Sequence, residues 1–175
     1  MQDRFGISFG SGFAAVIPFM TGILGALVAN IPVSLFGGTM PPPLLSLMPV
    51  YFWCLVRPDL MPPSAAFAIG LVEDLLSGGP PGVWALSFLV CYAVVDRQRD
   101  AFAGLAGFGA ILGFAAVMLI ASGVDYGAVS LLNSRVLPVE SLMLQVAISV
   151  IFYIPALWLM NGAQRRIIGA LRSDF

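Results

Sequence analysis

Apolar residues fall into six long runs, separated by short stretches of glycine, proline and charge. The first run, Phe13 to Phe36, is about 24 residues, which is too long for a signal-peptide core of roughly 7–15. It predicts a spanning helix. Pro18, Asn30 and Pro32 lie inside it or near its end, so a kink or a broken last turn is expected. The run Gly37-Gly-Thr-Met-Pro-Pro-Pro43 cannot continue a helix and predicts a tight turn. A second run, Leu44 to Val56, closes at Arg57-Pro58-Asp59. Met61-Pro62-Pro63 opens the third, because proline is tolerated where a first-turn amide has no intrahelical partner. That run ends at Gly78-Gly79-Pro80-Pro81-Gly82, and the fourth stops at Asp96-Arg97-Gln98-Arg99-Asp100. The fifth, Ala101 to Ala121, is followed by a less apolar stretch from Ser122 to Pro138, and Val139 to Met160 is the sixth. With flanking residues, the predicted spans are about 13–36, 42–56, 62–78, 82–95, 101–121 and 139–161.

Composition turns this pattern into a fold class. Of 175 residues, 59% are hydrophobic and 10% charged, with a mean hydropathy of +0.98. Soluble domains carry roughly 25% charged residues, so this chain lacks the polar surface to stay in water. The expectation is a single all-α, polytopic membrane domain with six transmembrane helices. Spans two, three and four fall short of the roughly 20 residues of an upright helix, so spans three and four could instead form a re-entrant hairpin.

The arginines orient the chain. There is no lysine and there are eight Arg; six crossings from a cytoplasmic amino terminus leave Arg4, Arg57, Arg97, Arg99, Arg165, Arg166 and Arg172 on the cytoplasmic side. Only Arg135 lies opposite. Cytoplasmic loops are enriched in Lys and Arg, so both termini are expected inside the cell.

Catalytic chemistry finds little to work with. The chain has no His, which removes Ser–His pairs and His metal sites, and no Lys for Schiff-base chemistry. Intramembrane aspartyl proteases need two Asp on facing helices, and Asp74 is the single Asp within a run. Gly10-Ser11-Gly12 reads as an unstructured lead-in rather than a phosphate cradle. No enzyme activity, cofactor, metal or nucleic-acid partner is expected. Glu73 and Asp74 point about 100° apart on a helix. Either both reach the far-side headgroups, or Asp74 faces the bundle interior and pins a loop or partner chain.

The remaining features read mainly as packing. Small residues recur four apart at Gly6/Gly10, Gly22/Ala26, Gly25/Ala29, Ala106/Ala110 and Gly109/Gly113, where backbones can approach closely, within the protein or against another protein's helix. Cys54 and Cys91 are expected to be buried packing residues. Trp53, Trp84 and Trp158 lie near predicted span ends, as interfacial anchors do.

The stretch from Pro43 to Val95 resembles the MreD family, the rod shape-determining membrane proteins of bacteria. The resemblance rests on Pro43, Tyr51 and Trp53 in one helix, followed by Gly70, Asp74, Gly78 and Gly82 at four-residue spacing. Glu73, beside the family aspartate, departs from the pattern and leaves open which acid matters. Gly70 and Asp74 share a helix face, and Gly78 and Gly82 permit a sharp reversal. A carboxylate there could cap loop amides or meet an Arg from a partner. The resemblance implies a scaffold role in the cell-elongation complex of the bacterial inner membrane. Its implied partners are the bitopic protein MreC, MreB filaments, a SEDS glycosyltransferase and a penicillin-binding transpeptidase. The layout is also similar to the substrate-binding subunits of energy-coupling-factor transporters. That alternative expects a small-molecule cavity lined by Asp125, Asn133, Arg135 and Glu140.

Overall fold

A computed structural model describes residues 9–31, 41–99, 108–133 and 139–164. These residues form six α-helices and one 3-10 turn, with no strand among them. The helices are α1 (Phe9–Ala29), α2 (Leu47–Val56), α3 (Pro63–Ser77), α4 (Val83–Arg97), α5 (Phe108–Asn133) and α6 (Val139–Ala163); the 3-10 turn is Pro58–Leu60.

The helix ends follow from backbone chemistry. Prolines 41 to 43 donate no N–H, so α2 starts only at Leu47, five residues later than the predicted span. Proline at the start of α3 sits where its missing donor costs nothing. Two expectations need correction. Gly10-Ser11-Gly12 belongs to α1 and is helical, not a lead-in. The stretch from Ser122, expected as a loop, continues α5 to Asn133. Its glycines and serines are weak helix formers, but a backbone in lipid must satisfy its own hydrogen bonds, and no proline interrupts it before Pro138. The beginning of the predicted fifth span (101–107) and the end of the first (32–36) lie outside the described residues.

α2 occupies the centre. Eight of its ten residues are buried, and α1, α4, α5 and α6 all pack on it. Around it, α1 leans on α3, α3 packs against α4, α4 meets α5, and α5 meets α6. Tyr51 of α2 stands edge-on to Phe114 of α5 and Tyr153 of α6, with centroids 5.6 and 5.8 Å away. Phe114 and Tyr153 stack at 4.2 Å. Offset stacking and edge-to-face contact suit the ring quadrupoles, and here they join three helices at one point.

Outside this core, α5 and α6 are clothed in exposed apolar side chains, among them Leu112, Leu119, Ile151, Phe152, Ile154 and Leu159. Residues Gly109–Leu131 and Val139–Ala163 are long and apolar enough to cross a membrane. A soluble protein buries such helices; these show their greasiest faces outward, as lipid requires.

Candidate functional site

The four family-pattern positions meet at one end of the bundle, where α3 turns into α4. Gly78 ends α3 in the left-handed region (φ 68°), the usual C-terminal stop for glycine. Gly82 precedes α4 with φ 95°. A side chain is strained at such angles, so these two glycines are what allow a five-residue reversal.

A glycine at the α4 N-cap brings no side chain to receive the free amides of the first turn. Asp74 supplies the acceptor from the neighbouring helix. Its Oδ1 receives the N–H of Trp84 at 2.8 Å, and its Oδ2 receives the N–H groups of Gly82 at 2.9 Å and Ala85 at 3.1 Å. These N–H groups form the positive end of the α4 dipole. Close approach makes this reach possible: a Cβ on Gly70 would fall 2.6 Å from Ala85 Cα and 2.8 Å from the Trp84 oxygen. Gly70, Asp74, Gly78 and Gly82 therefore serve one device, a tight capped hairpin.

Glu73 faces the other way. Its Oε1 accepts from Asn30 Nδ2 at 2.8 Å, and its Oε2 accepts from Ser46 Oγ at 2.5 Å. Asn30 closes α1, where its backbone and side-chain N–H groups both reach the Ala26 carbonyl. Ser46 stands at the start of α2. Glu73 thus ties the ends of α1, α2 and α3 together while its neighbour caps α4. The two acids are 4% and 2% exposed, so neither reaches out to a headgroup layer. Of the two readings of Asp74, an inward-facing residue pinning a loop matches this geometry.

Asn30 is expected from the sequence only to disturb the end of the first span, and Ser46 carries no expected role. A polar residue within an apolar run was their only signal, and their pairing with Glu73 needs the fold. The tryptophans divide. Trp158 is 85% exposed, as an interfacial anchor would be. Trp53 and Trp84 are buried, contrary to expectation. The Trp53 indole donates to Thr21 Oγ1 at 3.1 Å, and the Trp84 ring meets Phe88 edge-on at 6.3 Å. Cys54 and Cys91 are free and buried, and both line a narrow apolar gap, too small for a water molecule, between α2, α4 and α5. The small residues of α1 pack inward: a Cβ at Gly25 would meet the Leu45 oxygen at 2.8 Å, and Ala26 is fully buried. Gly6 and Ala106 lie outside the described residues.

The described arginines gather at the opposite end of the bundle. Arg57 grips Asp59 through Nε (3.0 Å to Oδ1) and Nη2 (2.8 Å to Oδ2). That hydrogen bonding holds the Asp59 carboxyl below its ordinary value. Arg97 ends α4, and Arg99 lies 3.8 Å from Asp96. Arg4, Arg135, Arg165, Arg166 and Arg172 are outside the described residues. Of the residues expected around a ligand cavity, Asp125 lies half-buried within α5 and Glu140 is exposed in the first turn of α6. Asn133 is the last residue of α5.

Among the described residues, the fold is an all-helical bundle with apolar faces turned outward, the class of a helical membrane protein. The family model described as rod shape-determining protein MreD matches residues 10–162. The chain belongs to that family, whose members are membrane proteins that determine rod shape. Comparisons with curated proteins and with solved structures give no match.

Proposed function

We propose that this protein is a non-catalytic scaffold of the bacterial elongation complex. Six helices cross the inner membrane with both termini in the cytoplasm. The scaffold binds the bitopic protein MreC and helps couple MreB filaments to peptidoglycan synthesis by a SEDS glycosyltransferase and a penicillin-binding transpeptidase. One observation carries the reading beyond family membership. The motif aspartate, the family's acidic position, gives its oxygens to three backbone N–H groups. A group so engaged shapes a surface rather than attacking a substrate. The positive-inside bias of the arginines supports the orientation.

The test is affinity purification of the tagged protein from native membranes in mild detergent, with identification of what comes along. Recovery of a bitopic MreC-type protein is expected, together with rescue of rod shape in cells lacking the endogenous protein. Rescue without any such partner would refute the assignment of MreC as the binding partner. Turnover or uptake of a small molecule by the purified protein alone would refute the scaffold role.

A further inference from the structure

α3 and α4 have 15 residues each, whereas α5 and α6 have 26 and 25. At about 1.5 Å per residue these lengths are about 22 Å and about 38 Å. A bilayer's hydrocarbon layer is about 30 Å thick. A helix that is too long can tilt to fit; one that is too short gains nothing by tilting.

Both pairs nevertheless present apolar side chains outward. On the short pair these are Phe67, Leu71, Leu75 and Leu76 of α3 with Leu86 and Leu89 of α4. The ends of this band are polar. The Arg57–Asp59 pair precedes α3 and Asp96-Arg97 closes α4 at one end; Ser77, Gly78 and Gly79 stand at the other.

Hydrogen bonds set the relative levels. Ser46 meets Glu73 near the end of α3, Leu44 N–H donates to Ser149 Oγ, and Gln145 Nε2 donates to the Pro42 oxygen. The end of α3 is therefore level with positions 145–149 of α6, and residues 139–144 extend past it. α5 likewise runs on to Asn133, 26 residues against the 15 of α3 and of α4. The molecule has a step between its two lipid-facing sides, with apolar Leu131, Val139 and Met143 exposed on the tall side.

We propose that the α3–α4 hairpin thins the bilayer against it, so that this side takes phospholipids with short acyl chains while the α5–α6 side meets a layer of ordinary depth. The proposal rests on the crossing topology stated above and is independent of MreC binding.

Single cysteines at Leu75→Cys and Met143→Cys, spin-labelled in vesicles of dimyristoleoyl, dioleoyl or dierucoyl phosphatidylcholine, test it. The native thiols are buried and escape the label. Accessibility to a water-soluble nickel chelate is expected to stay constant at Leu75 in all three lipids, while at Met143 it falls several-fold as the chains lengthen. A fall at Leu75 in step with Met143 would overturn the proposal. In the same vesicles an impermeant maleimide should reach Asp59→Cys and Ser77→Cys from opposite sides. Labelling of both from one side would overturn it too, through the topology. Loss of MreC recovery would leave the depth readings where they are.

Discussion

The group α1 to α4 and the α5–α6 pair are held by different means. α1, α2, α3 and α4 meet at two adjacent carboxylates, with Glu73 bonded to Asn30 and Ser46 and Asp74 bonded to the first turn of α4. α5 and α6 attach through rings, with Phe114 and Tyr153 closing on Tyr51, and through single neutral bonds such as Leu44 N–H to Ser149. Lipid is as apolar as leucine, so burying apolar surface does little to hold helices to one another there. Ten- and fifteen-residue helices have little surface to pack and rely on charge-assisted hydrogen bonds, which are roughly twice as strong as neutral ones. Long helices gather enough van der Waals contact to need fewer. The difference teaches that the carboxylate contacts of the described residues gather around α3, where α1, α2 and α4 converge on its end.

The strongest way to break this division is Asp74→Ala. It leaves three N–H groups without an acceptor, each worth about 1–3 kcal/mol when stranded. A loss of about 4 kcal/mol is expected, read as a lowered unfolding midpoint in mild detergent. Asp74→Asn, which keeps one acceptor oxygen, should lose distinctly less. A wild-type midpoint for Asp74→Ala would mean that packing alone holds the hairpin.

On the long side, Tyr153→Ala empties a site that is almost wholly buried. A cavity cost of about 24 cal/mol per Å³ over a void of about 100 Å³ gives about 2 kcal/mol. If it costs more than Asp74→Ala by the same assay, the ranking of the two means of attachment is reversed.

Gly70→Ala probes close approach while leaving every hydrogen-bonding group in place. Its new methyl meets backbone, not a flexible side chain, so α3 and α4 must separate, at a cost of about 1–2 kcal/mol. Protease accessibility of the Gly78–Gly82 turn should rise with it. No change in stability would show that the hairpin has slack.

Glu73→Gln separates geometry from charge at the three-helix tie. Ser46 can rotate its hydroxyl to suit an amide, so a loss below about 1 kcal/mol is expected, against a larger one for Glu73→Ala. The smallest effect belongs to Asp59. Its folded carboxyl titrates below its unfolded value because Arg57 bonds to it. That contribution is present at neutral pH and lost as pH falls through the depressed folded value. Asp59→Asn should remove this slight acid-side slope from the stability profile and leave neutral-pH stability nearly unchanged, since the pair is largely exposed.

Much of this molecule can be read from its chain alone. Long apolar runs, scarce charge and proline-glycine breaks dictate a helical bundle, because a backbone without water must bond to itself. The spacing of Gly70, Asp74, Gly78 and Gly82 already marks a helix face followed by a reversal. Other features have no local signature. The persistence of α5 through Gly123 and Gly127 depends on the medium and the neighbouring helix more than on propensity. The burial of Trp53 and Trp84 depends on which helices surround them. Whether Asp74 met a partner's Arg or its own chain's amides, and what Glu73 would hold, was decided only when α1, α2 and α4 converged on the end of α3. Local pattern places two carboxylates within an apolar run; only the fold states that they are buried and whose hydrogens they receive, because those donors lie in other elements, brought there by packing.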